Sequence, residues 1–124
     1  MKKIMFILFA CNTITSFSFA QDLWKTNPKE CVVLHDTLGA KMTLITLAPG
    51  ATLAPHTHTP YQLYVLDGGD IETQLKGAAA VKMTLPAGLH AQAAGMGVHS
   101  DKNVGTTTVK FLLIEMAPIK NQKK

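Results

Sequence analysis

Two histidines, His56 and His58, lie one residue apart in the stretch Gly-Ala-Thr-Leu-Ala-Pro-His-Thr-His-Thr-Pro at positions 50–60. Side chains two positions apart on an extended strand point to the same face, so the two imidazoles converge on one point. Neutral imidazole is a good ligand for mid-sized divalent cations. The spacing favours a metal site, although two solvent-exposed histidines flanked by threonines on a strand edge have the same pattern.

A third donor of this region is Gln62, four positions after His58 and again at an even offset. If the strand continues in register, its amide oxygen becomes a weak, neutral ligand. Thr59-Pro60 interrupts that register, because proline forgoes a backbone hydrogen bond and favours a strand edge or a bulge. Since glutamine adds no negative charge, the metal stays more positive than beside glutamate and favours an anionic ligand in its open positions. Replacing Gln62 by glutamate is then expected to tighten Mn or Fe binding.

The elements that must position these side chains are short strands. The chain after residue 20 lacks long helical periodicity, and Gly and Pro punctuate short apolar runs, which is typical of an all-β sandwich or barrel. Alternating apolar positions at 42–47 and 109–113 predict half-buried strands. We predict strands at residues 31–35, 41–48, 61–67, 70–76, 80–85 and 108–116.

Two glycine-rich segments predict connections between strands. Asp67-Gly68-Gly69-Asp70 predicts a hairpin turn, because glycine adopts a positive φ without steric penalty. Residues 88–98 are rich in glycine and alanine and predict a mobile loop.

The amino-terminal segment predicts export. Residues 1–20 contain a lysine pair, an apolar run and a small-residue ending at Ala20, which is the layout of a secretory signal peptide. We expect a periplasmic or secreted protein cleaved near Ala20/Gln21, with a lipoprotein anchored at Cys11 as the alternative. The apolar run is too short for an integral membrane span. The remaining 104 of the 124 residues suit a single domain, 21–124.

Charge and cysteine content narrow the class of partner. The chain has 12 lysines, no arginine and 8 acids, and loss of Lys2 and Lys3 with the leader leaves a net charge of +2. This is too mild for nucleic-acid binding, and the absence of arginine removes the bidentate grip on phosphates. With Cys11 removed, Cys31 stands alone, so no internal disulfide can form. We expect a buried strand residue, with an intermolecular bridge or metal ligation as the alternatives.

The spacing around the histidine pair resembles the first signature motif of the cupin superfamily, in which the position of Gln62 is usually glutamate. The motif runs Gly50, five residues, His56, one residue, His58, three residues, Gln62, six residues, Gly69. The second cupin motif is similar to Pro86-Ala87-Gly88 followed, after a longer gap than the family has, by His99, three residues and Asn103. We interpret the longer gap as an insertion across residues 89–96. The alternative third histidine is His90, which lacks the asparagine four positions on.

The resemblance covers about residues 29–116 and implies an all-β double-stranded β-helix, or jelly-roll barrel, with the histidines pointing inside. It implies one divalent metal ion (Fe, Mn, Zn, Ni or Cu), a small-molecule ligand and a homodimer. The ligands it implies are His56, His58, Gln62 and His99. Further candidates, as hydrogen-bond partners of the ligands or as substrate contacts, are His90, Tyr64 and Asp101.

Two classes of function stay open. One is a metalloenzyme, oxygenase-like, that acts on a small oxygen-rich organic substrate. The other is a non-catalytic barrel that binds a metal or a small ligand. The fold does not choose between them, because cupins have many functions. No catalytic residue is assigned, since no acid or lysine occupies the metal-facing positions of the signature as a general base.

Overall fold

The computed structural model describes residues 22–117, which form one short helix and two antiparallel sheets. The five-stranded sheet has the order β1-β2-β9-β4-β7, and the four-stranded sheet has the order β3-β8-β5-β6. The expected all-β jelly-roll barrel is confirmed. The elements are α1 (Leu23–Thr26), β1 (Cys31–Thr37), β2 (Ala40–Leu47), β3 (Thr52–His58), β4 (Tyr61–Asp67), β5 (Gly69–Leu75), β6 (Val81–Leu85), β7 (His90–Ala93), β8 (Met96–Asn103) and β9 (Val109–Met116).

An apolar core fills one part of the barrel. On β2 the buried positions alternate, as the sequence predicts, because successive side chains of a strand point to opposite faces. Full burial of an aliphatic side chain contributes roughly 1.5–3 kcal/mol. The core consists of Leu23, Cys31, Ile45, Leu47, Leu53, Ile71, Val109 and Leu113.

Asn103 ties the end of β8 to its neighbours. Its side chain is fully buried, and its amide nitrogen donates to the carbonyl oxygens of Leu47 and Thr107, each at 2.8 Å. Its side-chain oxygen accepts the backbone N–H of Gly105 at 3.0 Å. The asparagine of the second motif therefore has a structural role in holding three backbone groups.

The connection at residues 67–70 differs from the prediction. β4 and β5 belong to different sheets, so Asp67-Gly68-Gly69-Asp70 is a crossover, and the predicted hairpin is wrong. Neither glycine has a positive φ. Both are required for close packing: a Cβ on Gly68 would meet the Leu85 carbonyl oxygen, and one on Gly69 would lie 2.6 Å from Cγ2 of Val109.

A two-residue hairpin joins β1 to β2 instead. Leu38 and Gly39 have φ values of 55° and 75°, the pair of positive values that a type I′ turn requires. Leu38 is 99% exposed at this turn, so its side chain gains nothing from packing.

The glycine- and alanine-rich segment is also different from the expectation. Residues 88–98 are not a loop: β7 pairs with β4 at the sheet edge, and β8 begins at Met96. The six predicted strands correspond to β1, β2, β4, β5, β6 and β9. The segment interpreted as an insertion thus adds an edge strand to the barrel.

The predicted signal peptide, residues 1–20, and the tail at 118–124 lie outside the described residues. Within residues 22–117 no helix is long and apolar enough to cross a membrane. Cys31 is a free, buried cysteine, as expected, and burial raises the pKa of its thiol to about 12.

Candidate metal centre

Two β-bulges place His56 directly opposite His99. β3 and β8 pair with register shifts on both sides of the His56–His99 pair. A bulge adds one residue to a strand and re-aims the side chains that follow it. Both histidines are buried, with 1% and 3% of their surface exposed.

The structure brings three of the predicted residues together, and these are His56, His58 and His99. Their candidate ligand atoms all lie within 4.8 Å of one another. The ring centroids of His56 and His99 are 4.2 Å apart, and those of His58 and His99 are 4.9 Å apart. Of the two candidates for the third histidine, His99 lies beside His56 and His58, whereas His90 is exposed on β7.

Hydrogen bonds fix the tautomer of each of the three rings. Nδ1 of His56 lies 2.7 Å from the Ala54 carbonyl oxygen, and Nδ1 of His99 lies 2.8 Å from that of Gly97. Nδ1 of His58 lies 2.9 Å from Oε1 of Glu115. Carbonyl and carboxylate oxygens only accept, so Nδ1 must carry the proton in each ring. Nε2 is left with a free lone pair, which is how metal-binding histidines are normally held.

His56 provides the test of whether a metal fits. Its Nε2 atom is buried and has no hydrogen-bond partner among residues 22–117. A buried polar atom without a partner costs roughly 1–3 kcal/mol, so such an atom needs an explanation. Burial lowers the pKa of His56 to about 4, against the opposing effect of the Ala54 carbonyl, so the ring is neutral at pH 7. A neutral imidazole whose buried Nε2 lone pair is unpaired and lies close to two other imidazoles fits a divalent cation.

Two carboxylates border the three rings. Oδ2 of Asp101 lies 3.8 Å from Nε2 of His56 and 3.6 Å from Nε2 of His99. The Thr73 hydroxyl donates to Oδ1 of Asp101 at 2.5 Å. Glu115, from the opposite sheet, accepts from His58. Asp101, which the sequence analysis named as a candidate site residue, therefore lies next to the Nε2 atoms of His56 and His99.

A cavity of about 260 Å³ opens next to His58 and Asp101 inside the barrel. It is smaller than the usual range of drug-sized sites, roughly 300–1,000 Å³, and so suits a small ligand. Its polar groups come from His58, Tyr61, Thr73 and Asp101. Apolar side chains form most of the wall, among them Leu63, Ile71, Met83, Leu89, Phe111 and Leu113.

Three predicted site residues lie elsewhere. Gln62 is exposed on the outer face of its sheet, opposite Gln92 of β7, and the prediction that it is a ligand is corrected. Tyr64 and His90 pair across β4 and β7 on that same outer face, and both are exposed. The tyrosine that lines the cavity is Tyr61, whose ring centroid lies 5.1 Å from that of His58.

Sequence reasoning missed Tyr61 as the inward tyrosine and missed Glu115 entirely. A signal for Glu115 exists: it shares the parity of Val109 and Leu113, the buried positions of β9. A charged residue at an apolar, inward parity points to a specific partner, because a charge is rarely buried unless it is paired.

Comparison with known structures places this architecture in a class. A cupin domain from Bordetella pertussis superposes with a TM-score of 0.66 at 21% identity, covering 71% of this chain and 92% of that chain. An RmlC-like cupin family protein with a double-stranded β-helix fold from Methanocaldococcus jannaschii gives a TM-score of 0.59 at 14% identity, covering 70% and 78%. The cupin-2 domain of an XRE family transcriptional regulator from Enterobacter cloacae gives 0.52 at 26% identity, covering 73% and 99%. Comparison with protein-family models and with curated protein sequences found no match.

The class defined by fold and site is a double-stranded β-helix barrel with three histidines gathered inside it. The chain has the cupin fold, and the resemblance to the cupin superfamily is confirmed.

Proposed function

We propose that this chain is a metal-binding cupin that holds one divalent ion through Nε2 of His56, His58 and His99. The observation that carries the proposal is the buried Nε2 of His56, which has no hydrogen-bond partner in the described part of the chain and faces two other imidazoles. Each ring has its Nδ1 proton engaged, so no rotation or proton shift is needed before binding.

We further propose that the cavity makes this centre an oxygenase-like enzyme for a small organic molecule. A bound divalent metal would supply a Lewis acid that polarises an oxygen donor of the ligand. The apolar wall holds an apolar body, while the hydroxyl of Tyr61 offers a hydrogen-bond donor to an oxygen of the ligand. A phenolic or small diketone compound combines these features.

Two measurements test metal binding and oxygenase activity separately. The metal content of the purified protein, measured before and after chelation and reloading with Fe, Mn, Zn, Ni or Cu, is expected to reach one ion per chain. A His56→Asn variant should fall well below that value, and a His90→Asn variant should match the wild type. Equal metal content in the wild type and both variants would refute the proposed three-histidine metal centre.

Oxygen consumption by the protein loaded with Fe, Mn, Ni or Cu is then measured against phenolic and small diketone compounds, since Zn has no redox chemistry. Substrate-dependent uptake supports the enzyme. Stoichiometric metal without any uptake refutes the oxygenase and leaves the non-catalytic binding barrel.

Export and self-association complete the proposal. The leader-like composition of residues 1–20 supports export to the periplasm or beyond, which amino-terminal analysis of the mature protein checks at Ala20/Gln21. A homodimer is supported by the edge strand β1, where Val32 and Leu34 are 55% and 44% exposed. Light scattering of the purified protein measures the oligomeric state.

A further inference from the structure

The carboxylate of Asp101 is largely buried, and no lysine balances its charge within residues 22–117. The side chain is only 14% exposed, and among residues 22–117 no lysine lies within ion-pair distance of it. Burying an ionised carboxylate without a partner is costly, so such a group is normally paired with a cation or coordinates a metal.

The two nearest ring nitrogens do not satisfy this carboxylate. Its Oδ2 atom lies 3.8 Å from Nε2 of His56 and 3.6 Å from Nε2 of His99, beyond the 2.7–3.2 Å of ordinary hydrogen bonds. In the neutral form of each ring the proton sits on Nδ1, so Nε2 presents a lone pair towards the carboxylate. Two lone pairs and a carboxylate therefore face one another, an arrangement that is repulsive unless a cation lies between them.

The distances from Asp101 to His56 and to His99 are close to those between two ligands of one ion. Nitrogen and oxygen ligands bind a divalent ion such as zinc at about 2.1 Å, and in a tetrahedral arrangement two such donors lie about 3.4 Å apart. The distances of 3.6 and 3.8 Å require a contraction of only a few tenths of an ångström. Thr73 already orients the carboxylate by donating to Oδ1, which leaves Oδ2 directed at the two rings.

We infer that Asp101 is the fourth, anionic ligand of the metal centre and replaces the glutamate of the first cupin motif. The inference rests on the proposed function, because it presupposes the three-histidine centre. It moves the negative ligand from β4, where Gln62 faces outward, to β8, two residues after His99. The cavity wall on β4 is then formed by Leu63 rather than by a ligand.

The test measures the affinity for Zn²⁺ by competition with a chromophoric chelator and records the absorption spectrum of the Co²⁺-loaded protein. The Asp101→Asn variant keeps the size of the side chain and removes its charge. We expect it to bind Zn²⁺ at least about a hundredfold more weakly, above the usual effect of losing a hydrogen-bond partner of a ligand, and to show a changed Co²⁺ spectrum. Gln62→Glu, which adds a charge on the outer face, is the matched control and should leave both readouts unchanged.

A second variant guards against misfolding of the first. Thr73→Val removes only the hydroxyl that orients Asp101, and we expect an affinity loss of about tenfold. If the wild type binds Zn²⁺ and both variants stay within threefold of it with an unchanged Co²⁺ spectrum, the inference is overturned while the proposed function stands. If the wild type itself binds no metal, both are overturned.

Discussion

The metal-free protein is expected to lose stability when the pH falls from 7 to 5, because His56 resists protonation only in the folded state. Burial lowers the pKa of His56 from its ordinary 6.5 to about 4, and the repulsion of His58 and His99 adds to this lowering. As the pH falls below 6.5 the unfolded chain takes up a proton that the folded chain does not. The stability is therefore fully present above pH 6.5 and is lost progressively as the pH falls towards 4.

The magnitude follows from the two pKa values. Each pKa unit corresponds to about 1.4 kcal/mol, so the complete loss amounts to about 3 kcal/mol. At pH 5 most of that loss is already expected, about 2 kcal/mol. A small domain is typically stable by roughly 5–15 kcal/mol, so the effect is large enough to measure.

The assay is urea denaturation in the presence of a chelator, at constant ionic strength, between pH 7 and pH 5. Carboxylates also contribute to the slope of the unfolding free energy against pH. The wild type is therefore compared with His56→Asn, whose amide can still donate to the Ala54 carbonyl. We expect the variant to lose about 2 kcal/mol less than the wild type over this range. His90→Asn, a change on the exposed face of β7, should retain the wild-type slope. Identical slopes for wild type and His56→Asn would refute the reasoning.

Three further substitutions test the support around the site and the fold. Glu115→Gln keeps the size of the side chain but removes the charge that faces His58, so Zn²⁺ affinity measured by chelator competition should fall about 10- to 100-fold; an unchanged affinity would mean that Glu115 does not tune the ligand. Asn103→Ala strips the partners from three backbone groups, each worth roughly 1–3 kcal/mol when left unpaired, so the free energy of unfolding should fall by about 3 kcal/mol or more. A loss below about 1 kcal/mol in urea denaturation would contradict the structural role of Asn103. Leu38→Asn places a residue that tolerates a positive φ before Gly39, and we expect a gain of roughly 0.5–1 kcal/mol, seen as a higher urea midpoint; a lower midpoint would show that the turn does not strain Leu38.

The sequence predicts the histidine centre well because its geometry is local. His56 and His58 share a face of one strand whatever the rest of the fold does, and the motif spacing then identifies His99. The edge strand β7 is different. Its residues have weak intrinsic strand preference and are ordered by pairing with β4, which no local pattern reveals.

Gln62 shows where counting along a strand fails. Its even offset from His58 implies a common face only if the strand is continuous. The chain instead leaves one sheet at His58 and enters the other at Tyr61, so the alternation restarts after Thr59-Pro60. Tyr61 and Leu63 then face the cavity, and Gln62 faces outward. The alternation of inward and outward side chains therefore cannot be counted across a connection between two sheets, and the prediction for Gln62 depended on that count.

The charges around the centre lead to a further conclusion about the ligand. Three neutral histidines leave a divalent ion uncompensated, and the sequence therefore favoured an anionic ligand in its open positions. The structure provides two carboxylates, Asp101 beside the Nε2 atoms and Glu115 behind His58. Together they balance the two positive charges, which is what burial of an ion in a low-dielectric interior requires. If Asp101 binds the metal as proposed, a neutral ligand with an apolar body fits this cavity better than an anion does.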